Sequence, residues 1–223
     1  MLKNLGRFSS ESVRVVMQRV LLICGLLWLG PALALAQEAA AEKFRSHRAG
    51  PLTADDFQAK PDPKSSYIAW TETSLQFHFK YRSETKNGQR VVTLTDIDVW
   101  AVLTCDKSWN LRPTDPLLMD HEQGHFDLTE VQARLARNQL RRLMKRRDAL
   151  TFAKAPREAE AVAKLKAAIA KFMEAYTEAC QANHQAYDEA TRNGREDTAQ
   201  ANERRQQQAQ LEALAREWEL LDR

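Results

Sequence analysis

The chain has 223 residues, of which 28% are charged, and its formal net charge is +3. This length is enough for one domain with a hydrophobic core and a further extension. The positive excess lies in residues 1–36, which hold four basic residues and one acidic residue, so the remainder is neutral. A neutral remainder gives no basic patch for nucleic acid and no charge excess for adsorption to a membrane.

Residues 1–36 have the pattern of a secretory signal peptide. Basic residues precede an apolar run at residues 20–30, too short to span a bilayer comfortably, and residues 34–36 (Ala-Leu-Ala) form a small-x-small cleavage site. We expect cleavage near Ala36 and an exported protein, periplasmic or secreted, with no membrane attachment afterwards. An uncleaved N-terminal anchor is the alternative, and lipidation is disfavoured because a large isoleucine precedes Cys24.

The next part of the chain predicts a small antiparallel sheet. Residues 37–50 are polar and small, which predicts a flexible leader. Apolar side chains alternate with polar ones over residues 75–81, the period of a half-buried strand, and His78 falls on the polar side. Asn87-Gly88 is a hairpin turn signal before a second strand region at residues 91–105.

Long helices follow the sheet. Hydrophobic periodicity predicts one helix over about residues 115–147, a second over about 157–191 and a third over about 196–221. We therefore expect an α+β domain at residues 51–194, a small antiparallel sheet followed by long helices, and a polar C-terminal helix at residues 195–223. A narrow apolar seam with 3-4-3 spacing predicts that this last helix packs on the domain or self-associates; it consists of Leu211, Leu214, Trp218 and Leu221.

Five residues of the first long helix, His121-Glu-Gln-Gly-His125, form the pattern H-E-x-x-H. Helix residues four apart share one side, so His121 and His125 point two imidazoles at one position, where a Zn²⁺ ion can accept both. Glu122, one step around the helix, is placed to take a proton from a water molecule bound there. Two merely structural histidines are the alternative. Apolar residues within roughly 40° of His121 place the pair on the inward face; they are Leu117, Leu128 and Leu135.

A catalytic zinc ion needs a third protein ligand. The other acidic residues of that helix lie on different sides from the histidines, so the second long helix is the expected source. There, Asp188 is the first candidate, followed by His184, four residues away on the same face, and by Glu189. Ordinary solvated polar residues are the alternative. Tyr187 is a candidate for stabilising the oxyanion of a transition state.

Two cysteines remain after the predicted cleavage. Cys105 precedes the helix with the H-E-x-x-H pattern, and Cys180 lies in the helix that follows it. In an exported protein they are candidates for one disulfide bond. Two small buried apolar residues are the alternative, and neither cysteine has metal-site spacing.

Four segments of the chain resemble an uncharacterised bacterial family, a domain of unknown function described as predicted secreted zinc-dependent proteases. The segments are residues 51–57, residues 107–109, residues 117–130 with H-E-Q-G-H-F-D, and Tyr187-Asp188 through Gly194. The resemblance covers about residues 51–200 and implies a zincin-like fold, export and a zinc-dependent protease. The family's last segment usually has a histidine where this chain has Asn193. If that histidine is the family's third ligand, Asp188 or His184 replaces it here, or the chain binds zinc weakly.

The sequence thus predicts an exported zinc metallopeptidase with a polypeptide substrate, in which His121 and His125 bind zinc and Glu122 is the general base. The principal alternative is a catalytically impaired protein of the same fold that acts as a periplasmic binding or scaffold module. Asn193 and the long polar helices are the evidence for it. A periplasmic helical chaperone or adaptor is a third candidate, but it leaves the H-E-x-x-H pattern unexplained.

Overall fold

The structure is a computed structural model, and it describes residues 43–222. The predicted signal peptide, Cys24 and residues 37–42 lie outside the described residues. The described chain is an α+β protein, as the sequence predicted, with antiparallel sheets and three long helices. None of these helices is long and apolar enough to cross a membrane.

Within the described residues, six strands form two antiparallel sheets. In chain order they are β1 (Phe44–Ser46), β2 (Ala69–Trp70), β3 (Thr73–Lys86), β4 (Gln89–Thr104), β5 (Trp109–Asn110) and β6 (Phe152–Ala155). β4 is the central strand of the larger sheet. It pairs with β3 over its whole length, with β1 at one end and with β6 at the other. The smaller sheet is a two-stranded ribbon of β2 and β5.

The β3–β4 hairpin forms where the sequence predicted it. Asn87 and Gly88 have φ angles of 50° and 75°, the left-handed conformation that favours these residues in a two-residue hairpin turn. Along β4, Ile97 and Val99 point into the core and are almost fully buried. His78 on β3 is exposed, as its place on the polar side predicted.

The helices lie close to their predicted bounds. They are α1 (Pro116–Lys145), α2 (Glu158–Thr191) and α3 (Asp197–Asp222). Asp115 caps α1, because its side chain accepts hydrogen bonds from two backbone N–H groups of the first turn. Pro116 suits the first position of the helix, because it has no N–H group that would lack a partner there. α2 ends at Thr191 and is capped by Arg192, which adopts the left-handed conformation common at helix C-termini.

α1 is the central helix of the molecule. The sheet packs on one of its faces and α2 and α3 pack on others, so that residues 121–133 are buried almost without interruption. The main core lies between the sheet, α1 and α2 and includes the fully buried Leu140, Leu165 and Ile169. Residues 121–133 include many polar side chains, and each buried polar group needs a hydrogen-bond partner inside the protein.

The expected inward position of Leu135 is wrong, since its side chain is 38% exposed. The core instead receives Ala133, Ala136 and Leu140 from this half of α1. These residues form a stripe at least roughly 100° around the helix from Leu135. Apolar spacing found the helix correctly, but the position of the sheet decided which stripe is buried.

The expected flexible leader is wrong for residues 43–50. Phe44–Ser46 form β1 and His47–Ala49 form a short 3₁₀ helix. β1 pairs with the last residues of β4, whose backbone donors and acceptors would otherwise lack partners at that edge.

α3 is part of the same packed unit rather than a separate extension. Leu211 and Leu214 of the predicted seam pack on Val131 of α1. The guanidinium of Arg137 lies over the ring of Trp218, 4.6 Å from its centroid. The seam is therefore covered by α1 of the same chain, which is the first of the two predicted arrangements.

The predicted disulfide does not form, because Cys105 and Cys180 are both free and buried. Cys105 packs in a small apolar cluster with Leu52 and Phe126, whereas Cys180 lies in α2. Burial raises the pKa of both thiols. The alternative prediction, two small buried apolar residues, is the one that the structure supports.

Candidate metal centre

Three side chains from two helices meet at one point. His121 and His125 come from α1, and Asp188 comes from α2. The Nε2 atoms of the two histidines are 3.2 Å apart, and each lies 3.1 Å from Oδ1 of Asp188. The three atoms thus form a nearly equilateral triangle and are close enough to bind one metal ion. The first candidate for the third ligand, Asp188, is the one that the fold brings to the histidines.

The spacing of the triangle fits a small tetrahedral ion. Ligand atoms at about 2.0–2.1 Å from a zinc ion are separated from one another by about 3.3 Å. Without an ion or a proton between them, two neutral imidazole Nε2 atoms at 3.2 Å would direct their lone pairs at each other. Burial raises the pKa of Asp188, but hydrogen bonds from His121 and His125 outweigh it and hold that pKa well below its usual range. An ionised carboxylate between two histidines is a suitable donor set for a divalent cation.

Tyr187 holds the two helices at this distance. Its ring stacks on His121, with centroids 4.8 Å apart and an interplanar angle of 13°, and meets His125 edge-on. A Cβ atom at Gly124 would lie only 2.5 Å from Cζ of this ring, so only glycine leaves room for it. The glycine of H-E-Q-G-H therefore lets α2 approach α1 closely enough to deliver Asp188.

The hydroxyl of Tyr187 is buried and has no hydrogen-bond partner among the described residues. Burial raises the pKa of this hydroxyl well above its usual value. These facts give Tyr187 a packing role between the helices. Its proposed part in stabilising an oxyanion stays a prediction.

The turn between α2 and α3 packs closely against the side chain of His121. Thr191 is fully buried, and its hydroxyl donates to the carbonyl of Tyr187 and accepts from the backbone N–H of Gly194. Gly194 has a φ angle of 75°, and a Cβ atom there would lie 3.0 Å from Cγ of His121. Asn193, the position where the resembling family has a histidine, is exposed and lies outside the triangle.

Glu122 lies beside the ligands in a protected position. Its side chain is 4% exposed, and the hydroxyl of Thr71 donates a hydrogen bond to Oε2. Thr71 stands between β2 and β3, so the sheet side of the molecule fixes this carboxylate. Glu122 forms no ion pair with any of residues 43–222. Among the described residues, the group that orients this carboxylate is thus a neutral hydroxyl.

His184 and Glu189 do not join the triangle. His184 Nε2 lies 3.1 Å from the hydroxyl of Thr129, and burial lowers the pKa of this histidine to about 3, so it is neutral. Thr129 donates to the carbonyl of His125 and also contacts the hydroxyl of Thr73. His184 therefore supports the backbone of a ligand, whereas Glu189 is exposed.

Two further residues of the H-E-Q-G-H-F-D segment fasten other parts of the chain to α1. Asp127 accepts from His47 at 2.8 Å and from Arg204 of α3 at 2.6 Å. Gln123 donates to Asp127, and its carbonyl accepts from the backbone N–H of Leu52. Burial raises the pKa of Asp127, but the hydrogen bond from His47 and the charge of Arg204 lower it below its usual range. Both ends of the described chain are thus tied to the helix that carries the histidines.

The sequence had not singled out Thr71, Thr129 or Gln123. Gln123 lies inside the motif, but its contact with the backbone of Leu52 appears only in the tertiary structure. Thr71 and Thr129 carry no signal in the sequence, since a hydroxyl in a strand or helix is ordinary. Only the approach of the sheet to α1 gives them their partners.

Comparison with family models, with curated proteins and with solved structures finds no match for this chain.

Proposed function

We propose that this chain is an exported zinc-dependent metallopeptidase. The observation that carries the proposal is the triangle of His121, His125 and Asp188, with the buried carboxylate of Glu122, held by the hydroxyl of Thr71, on the residue next to His121. Two histidines and one carboxylate are the protein ligands of a common class of catalytic zinc sites, in which a fourth position is left for water.

The donor set fits zinc, and one of the three side chains is partly exposed. Both histidines are nearly buried, whereas the side chain of Asp188 is 31% exposed. Zinc held there would supply Lewis acidity and lower the pKa of a bound water molecule to about 7.

The chain's own residues would carry the proton. Glu122 accepts it from the attacking water and returns it to the leaving amine, which is general base and then general acid catalysis by one carboxylate. The hydrogen bond from Thr71 fixes one oxygen of Glu122, and the other oxygen stays free for the proton.

An extended peptide is the substrate class that suits the neighbouring strand. β3 begins at Thr73, two residues after Thr71, and pairs only with β4 among the described residues. Its second edge therefore presents backbone donors and acceptors that a peptide can pair with by strand addition. The resemblance to predicted secreted proteases and the signal-peptide pattern support a role outside the cytoplasm.

Metal content and hydrolysis test the proposal separately. The protein is produced from its full sequence, purified without chelator, and analysed for zinc per chain and for cleavage of a peptide mixture. We expect about one zinc ion per chain in the wild type, none in His121→Ala, and an unchanged content in His78→Ala, whose exposed histidine is the matched control. Glu122→Gln should keep the metal and lose hydrolysis.

Other outcomes contradict specific parts of the proposal. Turnover retained in Glu122→Gln would remove Glu122 from the mechanism. One zinc ion per chain with no cleavage of any peptide would favour the alternative, a metal-binding scaffold or binding module. Absence of zinc from the wild type after zinc is supplied would contradict the proposed zinc site itself.

A further inference from the structure

The ribbon of β2 and β5 carries an unusual concentration of exposed apolar side chains. Tyr67, Trp70 and Leu111 on this ribbon and its flanks are 49%, 44% and 56% exposed, and they are three of the eight exposed large apolar side chains among the described residues. The rings of Tyr67 and Trp70 pack on each other with centroids 5.9 Å apart. Single exposed apolar residues need no explanation, but a cluster of them indicates a contact surface.

These side chains stand on a fixed base. Ala69 and Trp109, on the two strands of the ribbon, are buried, and the side chain of Asn110 reaches the sulfur of Met119 on α1. Leu111 donates its backbone N–H to the carbonyl of Ile68. The exposure of the apolar cluster is therefore not the fraying of a loose loop.

The indole of Trp70 is also fixed. Its Nε1–H donates to Oε2 of Glu72 at 3.2 Å, and Tyr67 covers part of the ring. Two constraints on one exposed aromatic side chain reduce the rotamer freedom that binding would otherwise remove. The remaining surface of the indole is preorganised for an apolar partner.

The ribbon is directly connected to the proposed general base. Trp70 is followed by Thr71, whose hydroxyl donates to Glu122. Consecutive Cα atoms are about 3.8 Å apart, and an extended peptide advances about 3.3 Å per residue. A peptide whose scissile carbonyl lies near Glu122 therefore brings side chains within a few residues of that bond to the ribbon.

We infer that Tyr67, Trp70 and Leu111 form a specificity site for an aromatic or large aliphatic side chain of a polypeptide, close to the bond that is cleaved. This inference rests on the proposed function, because the ribbon can select a substrate only if Glu122 beside it acts as the general base. The ligand is an extended peptide segment with an apolar side chain, and polar peptides should bind weakly.

Binding is measured on the zinc-loaded Glu122→Gln protein, so that the peptide stays intact. The probes are two fluorescein-labelled peptides of alanine and serine, identical except for a central phenylalanine or a central serine. We expect the phenylalanine peptide to bind about tenfold more tightly, as one buried aromatic contact provides. Trp70→Ala and Tyr67→Ala should each reduce this preference severalfold, and Trp70→Phe should keep part of it.

Phe152→Ala is the matched control, because Phe152 is an aromatic residue of similar exposure (37%). It lies on β6, which pairs with the first residues of β4, whereas β5 of the ribbon follows the last residues of β4. It should leave the preference unchanged. Circular dichroism of each variant separates loss of binding from loss of folding. In the wild type, cleavage sites in a peptide mixture should be enriched in aromatic residues, and this enrichment should fall in Trp70→Ala.

The failures of the two proposals are distinguishable. A preference that disappears in Trp70→Ala, together with no cleavage by the wild type, would contradict the peptidase and keep the ribbon as a peptide-binding surface. Equal binding of the two probes, or a preference that survives Trp70→Ala, would overturn the ribbon inference whatever the hydrolysis. A wild-type dimer that Trp70→Ala converts to a monomer would overturn it too, since the cluster would then be a contact between copies of the chain.

Discussion

The ring of Tyr187 occupies the space that a side chain at residue 124 would need, so that Gly124 and Tyr187 together set the distance between α1 and α2. Because of this contact, the residue at position 124, between the two histidines, determines how closely Asp188 of α2 approaches them. The candidate metal centre is therefore a property of the helix pair, not of the H-E-x-x-H pattern alone.

Gly124→Ala should disturb both stability and metal binding. The added methyl group overlaps Tyr187, and overpacking of this kind lowers the free energy of unfolding by about 2 kcal/mol. It should also push Asp188 from the triangle and weaken zinc binding. Urea unfolding and zinc competition with a fluorescent chelator measure the two effects. The double variant Gly124→Ala, Tyr187→Ala should lose less stability than the sum of the single changes; simple additivity would show that the two sites do not touch.

Tyr187→Phe separates packing from catalysis. The hydroxyl lacks a partner among the described residues, so its removal should change the free energy of unfolding by less than about 1 kcal/mol and leave the zinc content unchanged. If Tyr187 only packs, the rate of peptide hydrolysis also stays the same. A fall in kcat of about 100-fold with full zinc occupancy would instead assign the hydroxyl to the oxyanion.

Asp188→Ala should abolish tight zinc binding, with an affinity loss of more than about 100-fold, because outer-shell changes alone reach that size. Its neighbour Glu189 is exposed and outside the triangle, so Glu189→Ala is the matched control and should keep one zinc ion. Asn193→His should leave the stoichiometry at one, since residue 193 is exposed on the turn. A second zinc equivalent, or much tighter binding in Asn193→His, would show that this position contributes a ligand.

Thr71→Val should act on turnover and not on metal content. The hydroxyl that orients Glu122 is lost, while the three ligands are untouched. A hydrogen bond to a carboxylate is worth about 1.5–3 kcal/mol, so we expect kcat to fall about tenfold or more with little change in KM. Thr71→Ser, which keeps the hydroxyl, should restore most of the rate. Equal losses in Thr71→Val and Thr71→Ser would indicate a packing defect instead.

Removal of the metal should lower the thermal stability of the wild type. Zinc at about one hundred times its dissociation constant stabilises the folded state by about 2.7 kcal/mol, which corresponds to roughly 5–10 °C in Tm for a domain of this size. Calorimetry with and without EDTA measures the change. His121→Ala should show no shift on adding EDTA, and a shift of equal size in that variant would place the stabilising metal elsewhere.

Much of the fold could be predicted from local patterns. The hairpin at Asn87-Gly88 and the bounds of the three helices follow from turn chemistry, capping and periodicity, and all of them are present. The predictions that are wrong concern residues whose environment is set by distant segments. Residues 43–50 are ordered because β4 offers an open edge, and Leu135 is exposed because the sheet packs on a different stripe of α1.

The sequence by itself determined that two imidazoles and a carboxylate share one stretch of α1, because helical spacing is a property of the local chain. It also ranked Asp188 first among the ligands from α2. Only the tertiary structure decided that Asp188 lies beside the two histidines and that His184 and Glu189 do not join them. The reason is that the approach of α2 to α1 depends on the packing of Tyr187 at Gly124. Likewise, only the arrival of β2 beside α1 gives Glu122 its partner Thr71. Contacts between segments far apart in sequence depend on shape and packing, which no local pattern contains.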